Sequence, residues 1–348
     1  MNAASFLAGG DVAPNRAKGV GMFGDLAARF RGADVSFVNL EEALSSKGVL
    51  VRGKEAYHRG PPQCADGLKE AGLSCVNLAN NHVLDFGEDS FLETIESLSS
   101  RGIPYFGAGL NLEQARKACI IERPGLRVGF LGYTTTLPQG FAATASSAGV
   151  NPLHVYTAYQ QRKNLSELPG LPPTIVTWTE PTDLECLRLD VTTVAGHVDV
   201  VIVYVHWGTS MNPNVHSFQT EIGRAAIDAG AHAVFGGHQH VLSAIEFYKG
   251  CPIVHSMGNL LFDKWHPHFT DETLKTFLVG ATLEPGRVRD IFLLPAKNGV
   301  GTAPILLPRA SPMWEEIFQD LEKQSRKFGA EVVAREDAIE IKECKLAQ

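Results

Sequence analysis

The segment VFGGHQHV, residues 234–241, runs from an apolar stretch into two glycines and then presents His238 and His240 one residue apart. Alternate residues of a short segment can turn two imidazoles toward one point, and a hydrophobic core has no use for that arrangement. A surface turn with incidental histidines is the plainer reading of one such pair alone. The rest of the chain decides between them.

The apolar stretch before the pair is one of a series. SFLAG (5–9), DVSFVNL (34–40), LSCVNLA (73–79), RVGFLGY (127–133), VDVVIVYV (198–205), AHAVFGG (231–237) and CPIVHSM (251–257) are short, rich in β-branched and aromatic residues, and bounded by glycine or polar residues. Helical patterns lie between them at 22–31, 63–71, 88–100, 183–195 and 217–230. In the last, Phe218, Ile222, Ala226 and Ile227 share a face and Gly230 supplies a stop. This alternation predicts a layered α/β fold with a largely buried sheet. Residues 134–182, rich in Thr, Ser, Gly and Pro, break the rhythm and read as an insertion, a lid or a substrate-binding loop. The tail after about 296 reads as coil followed by a polar helix near 312–328.

The chain has 348 residues, 44% of them hydrophobic, enough for a large core in one big domain or two small ones. A formal net charge of -7 gives no electrostatic case for nucleic acid or an anionic membrane surface as partner. No uninterrupted apolar run approaches the ~20 residues of a spanning helix. The opening MNAASFLAGGDVAPNR lacks the basic region and apolar stretch of a secretory signal, so a soluble, cytoplasmic protein is expected. Six scattered cysteines without a C-x-x-C pair read as structural thiols in a reducing compartment.

What lifts the sequence above this description is the position of its polar residues. The first strand runs into Asp11 and the second into Glu41. The third leads to Asn80, Asn81, His82 and, three residues on, Asp85. Strand 198–205 delivers His206, strand 231–237 delivers His238 and His240, and strand 251–257 carries His255, then Asn259 and Asp263. Sites in open α/β sheets form at the carboxyl ends of the strands. Carboxylate, amide and imidazole donors suit a divalent ion such as Zn, Mn or Fe, and the lack of thiolates argues against a structural zinc. Singly, Asp11 reads as a turn cap, Glu41 as solvated and His206 as a satisfied core histidine. Six strand ends sharing the property make that explanation weak.

Together GGDV (9–12), VNLEEAL (38–44), NLANNHVLDFG (77–87), VYVHWG (203–208), IDAGAHAVFGGHQHVL (227–242) and PIVHSMGNLLFD (252–263) resemble the CapA family, the capsule-biosynthesis-type branch of the calcineurin-like metallophosphoesterases. The resemblance implies a sandwich of two sheets flanked by helices. A metal-dependent catalytic domain would span 1–295, carrying the insertion, with 296–348 as an extension packed on it. It implies one metal held by Asp11, Glu41 and His240 and a second by Glu41, Asn81, His206 and His238. His82 becomes the proton donor or acceptor, oriented by Asp85. The chain departs from the family where GDVAPNR lacks a histidine two residues after Asp11, where Ser210 replaces an acidic residue, and where His255 replaces a tyrosine. The first metal position is therefore short of a ligand, and one ion, including Ca²⁺, becomes an alternative to two.

Three functions follow from this resemblance. Metal-dependent hydrolysis of a phosphoester or amide is one. Epimerisation at a peptide Cα is the favoured one, and it is known from a branch of the family that acts on ribosomally made peptides. It needs two acid/base groups on opposite sides of the substrate, here His82 with Asp85 and a second histidine, His240 or His255, near Asp11 or Asp263. A non-catalytic capsule-assembly protein is the third. The expected partner is a peptide or small-molecule substrate; Arg16 reads as a receiver of an anionic group or as a solvated arginine, and Trp207 as packed beneath His206 or lining the pocket. KWHPHF (264–269) reads as a rim loop, and His58, His154, His197, His216 and His232 as structural or surface residues.

Overall fold

Strand Ala4–Ala13 is buried at nine of its ten positions and sits within the larger of the two main sheets. A computed structural model describes residues 3–161, 167–264 and 266–344 of the chain. Over Ala4–Ala8 the strand pairs antiparallel with Lys275–Glu284, and over Asp11–Ala13 it pairs parallel with Asn259–Phe262 on that side. Its other edge runs parallel to Val35–Leu40, with the register broken between Ala8 and Asp11. Cys75–Asn77 and Tyr105–Phe106 continue the sheet beyond Val35–Leu40. Arg287–Lys297, Ile339–Glu343 and Ala330–Ala334 continue it on the opposite side. A six-stranded sheet orders Ile245–Tyr248, Cys251–Val254, Ala233–Gly237, Val200–His206, Leu126–Thr134 and Cys119–Arg123.

The two sheets pack face to face. Period-two alternation puts Ile202 and Tyr204 of one strand into the inter-sheet core and Val201, Val203 and Val205 onto the opposite face. Phe37 stands 5.5 Å from both Phe130 and Phe235, ring centre to ring centre, which joins the sheets through aromatic contacts. Helices Leu26–Gly32, Cys64–Glu70 and Glu88–Ser99 cover the outer face of the large sheet. Pro181–Ala195 and Ser217–Asp228 cover the smaller one, the second burying Phe218, Ile222, Ala226 and Ile227 as its spacing predicts. The α/β reading is borne out, as a mixed fold of two main sheets and covering helices.

The tail departs from its reading. Helix Pro312–Ser325 drives Trp314, Ile317 and Leu321 into the inter-sheet core, and the strands Ala330–Ala334 and Ile339–Glu343 close the edge of the large sheet. The inserted segment forms an antiparallel hairpin, Val155–Gln160 with Thr174–Thr179, that rests on the start of helix Ser217–Asp228 through Thr179 N–H to Glu221 Oε2 at 2.8 Å. Among the described residues no helix is long and apolar enough to cross a membrane. All six cysteines are free thiols.

Candidate metal centre

The break in register at Asp11 is where the site begins. Here the strand changes neighbours, and a Cβ on Gly10 would stand 2.1 Å from Gly258 O, so only glycine lets the two backbones pass. Asp11 N–H then donates to Gly258 O at 3.0 Å. Its carboxylate is held by Asn39 Nδ2 at 2.8 Å and Tyr204 Oη at 3.2 Å on one oxygen, and by His238 N–H at 3.1 Å on the other.

The Gly-Gly-His-Gln-His turn answers the question its sequence raised. Gly237 has no room for a side chain between Tyr204 and Asp11, and His238 and His240 both take positive φ values, 89° and 57°. Non-glycine residues rarely adopt that region, and such strain collects at functional sites. The turn brings the two rings within 5.9 Å of each other and His238 within 4.9 Å of the His206 ring.

Two donor triads result, Glu41 with His206 and His238, and Asp11 with Glu41 and His240. In each, one donor atom per residue lies within 4.8 Å of the others. Glu41 belongs to both. His206 Nε2 is 3.0 Å from Glu41 Oε1 and bonds Asn81 Oδ1 at 2.8 Å, so Asn81 joins the first triad. His240 lies 3.9 Å from Asp11 Oδ2 and from Glu41 Oε1, with Asn259 Oδ1 on its Nδ1 at 2.9 Å.

The residues fit a cation. Both Glu41 oxygens and His238 Nδ1 are buried without a hydrogen-bond partner, an arrangement that costs folding energy unless a positive ion completes it. Without one, burial and the neighbouring Asp11 carboxylate push Glu41 well above the usual carboxylate range. Burial holds His206 down to about 4 and His238 well below the usual histidine value, so both imidazoles are neutral, the form that can bind a metal ion.

Beside the triads His82 Nδ1 meets Asp85 Oδ2 at 2.6 Å, as the sequence predicts. Asp85 also takes Lys54 Nζ on Oδ1 at 2.8 Å and the His58 N–H on Oδ2 at 2.8 Å. Burial lifts its carboxyl to about 6 against the opposing pull of Lys54. The His58 ring stands 4.3 Å from the His82 ring and is itself held down to about 2 by burial. Sequence reasoning missed Lys54 altogether and set His58 aside. Both come from an irregular loop whose polar residues carry no periodic signal, so only the fold places them.

Three expectations fail. Val254 faces the inter-sheet core, so His255 points to the other side of its sheet, where it stacks on Trp207 at 5.6 Å and lies 3.3 Å from Glu246 Oε2. It is not brought to Asp11. Trp207 is fully buried under that same face with its Nε1 donating to His255 O, so it packs beneath the site and does not line a pocket. Arg16 forks onto both oxygens of Asp263 at 2.7 and 2.8 Å and also donates to Met22 O and Thr302 O, which occupies the guanidinium and removes Asp263 as an acid/base group. In the 264–269 loop Phe269 packs on His240 at 5.2 Å, and His266 and His268 lie 5.0 Å apart. Trp265 lies outside the described residues.

Residues 6–264 match the family described as bacterial capsule synthesis protein PGA_cap. The chain is 28% identical over 247 residues to the PGA biosynthesis protein CapA of Bacillus subtilis, covering 70% of this chain and 57% of that protein. It is 27% identical to the capsule biosynthesis protein CapA of Bacillus anthracis, over 65% of this chain and 51% of that one. A probable polyglutamine synthesis accessory protein of Mycobacterium tuberculosis is 26% identical, over 88% of this chain and 76% of its own length. The chain thus spans little more than half the length of the two Bacillus relatives. With the matched region running from the first strand through the Gly-Gly-His-Gln-His turn to Asp263, this chain belongs to the CapA family of bacterial capsule synthesis proteins.

Proposed function

We propose that the protein is a metal-dependent enzyme that epimerises a Cα centre in a peptide. The observation that carries this reading is two histidines beside the Glu41–His206–His238 triad, each near an aspartate: His82 bonded to Asp85 at 2.6 Å, and His240 3.9 Å from Asp11. Ala13 stands where a further histidine would complete the Asp11 triad, which leaves Asp11 and His240 free to act as an acid/base couple. A divalent ion held by Glu41, Asn81, His206 and His238, of the Mn, Zn or Fe kind given these mixed donors, would lower the energy of charge developing on the neighbouring carbonyl oxygen. One histidine takes the Cα proton, and the other returns a proton to the opposite face, so no bond other than C–H is broken. The relatives named for polyglutamine and PGA synthesis make a peptide-type substrate the natural class to try.

Hydrolysis is the second reading, favoured by the fact that Asp11, Glu41 and His240 are themselves close enough to hold an ion. With both triads filled, His240 becomes a ligand and His82 protonates a leaving group. The test is incubation of the metal-loaded protein with a peptide panel in deuterated water, with and without chelator. Chelator-sensitive gain of one deuterium at Cα without cleavage supports epimerisation. Cleavage of an amide or phosphoester without exchange overturns it in favour of hydrolysis. A protein that takes up no metal is neither, and the capsule-assembly reading then stands.

A further inference from the structure

The loop from residue 46 to residue 58 contains neither helix nor strand, yet it is moored to one residue three times. Val51 N–H donates to Asp85 O at 2.8 Å, His58 N–H to Asp85 Oδ2 at 2.8 Å, and Lys54 Nζ reaches Asp85 Oδ1 at 2.8 Å. The contact with Asp85 Oδ1 is an ion pair, and the hydrogen bond of Lys54, also 2.8 Å, goes to the backbone oxygen of Asn81. One ammonium therefore ties both ends of the turn Asn81–Asp85, and His82 lies between them. The Lys54 side chain is 11% exposed and the Asp85 side chain is fully buried.

The turn is closed without Lys54. Asp85 N–H donates to His82 O at 3.1 Å, and Asn80 Oδ1 accepts from the N–H groups of His82 and Val83 at 3.0 and 3.1 Å. Burying a long, flexible, strongly hydrated side chain costs rotamer entropy and hydration that these backbone bonds do not require. What Lys54 adds is aimed at Asp85 Oδ1, the oxygen that His82 does not use. A carboxylate held on one oxygen can rotate; held on both, it fixes the direction of the other bond and with it the tautomer and angle of the imidazole. Phe141 of the inserted segment, 5.4 Å from Nζ, packs beside the ammonium.

We propose that Lys54 is a positioning residue for the His82–Asp85 couple, acting through Asp85 Oδ1. The role rests on the reading of His82 as an acid/base group in the proposed epimerisation.

The test compares Lys54→Met and Lys54→Arg with the parent, each loaded with the same metal. The first readout is the downfield proton resonance of His82 Nδ1–H, identified by its loss in His82→Gln; the second is metal content, and the third is the rate of deuterium exchange. Lys54→Met is expected to retain its metal, lose or shift the resonance, and exchange ~10- to 100-fold more slowly with little change in KM, the scale of loss typical of outer-shell partners. Lys54→Arg is expected to restore most of both signals. Lys54→Gln takes the place of the Met variant if that one does not fold. An unmoved resonance in the neutral variant overturns the proposal, as does metal loss matching that of Glu41→Gln, which would make Lys54 a structural support of the Asn81 turn. The resonance needs no substrate, so a protein that fails to epimerise and a Lys54 that fails to position His82 give different results.

Discussion

His206 Nε2 stands 3.0 Å from Glu41 Oε1, with both side chains fully buried, and yet it directs its hydrogen bond to Asn81 Oδ1. The two residues come from different sheets. Glu41 follows Val35–Leu40 in the large sheet, and His206 ends Val200–His206 in the smaller one. The centre therefore lies at the seam of the sandwich, and the inter-sheet packing of Phe37, Tyr204 and Phe235 sets its geometry. Two carboxylate oxygens left unpaired in such a place are a cost that the core packing sustains.

Replacing Glu41 with glutamine should separate that cost from its purpose. The amide is neutral, so the metal-free variant is expected to be as stable as the metal-free parent or more so, because a buried unpaired acid has been removed. Both triads lose their shared donor, and metal content measured by mass spectrometry should fall to background. The parent should gain about 2.7 kcal/mol at a metal concentration of 100 times Kd, read as a shift in thermal midpoint, and the variant nothing. Equal gains in the two proteins would show that Glu41 binds no ion.

The metal-free protein should also lose stability in acid through His206. Its folded value, held down to about 4 by burial, lies below the ordinary 6.5, so the unfolded chain takes up the proton first. The contribution is complete above pH 6.5, declines as the pH falls, and is gone below about 4. A depression of this size corresponds to about 3 kcal/mol. Asp85, lifted to about 6 by burial, acts with the opposite sign, favouring the fold below 3.8 and losing that contribution as the pH rises through 6. The measurement is therefore a difference, parent minus His206→Asn, from denaturant unfolding at several pH values. A difference that does not change between pH 7 and pH 4 would mean that His206 takes up its proton at the same pH in the folded and unfolded chain, so that burial does not lower it.

Much of the site was legible because its donors follow strands. Period-two apolar runs mark where strands end, and Asp11, Glu41, His206, His238 and His240 sit at those ends, so their convergence needs only the correct sheet order. His255 shows the limit of that logic. It also follows an apolar strand, but one residue of phase puts it on the helix-covered face against Trp207, and no count of ligand types reveals phase. Arg16 and Asp263 illustrate a second limit, since two charged residues 247 positions apart in sequence satisfy each other. Lys54 and His58 lie in a loop without period. The two tail strands were missed because AEVVA and IEIKE are short and take their place by pairing with Arg287–Lys297 and each other.

Gly236 and Gly237 permit a sharper test, because adjacent positions of one strand face opposite sides. A Cβ on Gly237 would lie 2.1 Å from Tyr204 Oη and 2.5 Å from Asp11 Oδ1; one on Gly236 would lie 2.2 Å from Trp207 Nε1 and 2.3 Å from His255 O. Either alanine overfills a packed region, at an expected cost of about 1–3 kcal/mol. Only Gly237→Ala pushes Asp11 away from Tyr204 and from the His238 N–H, and so breaks the couple with His240. It should retain an ion on Glu41, His206 and His238 while losing deuterium exchange, whereas Gly236→Ala should exchange normally once folded. Metal content and exchange rate, measured on both variants below their unfolding temperatures, decide the matter. Full exchange in Gly237→Ala would place the second proton-transfer group somewhere other than His240 and Asp11.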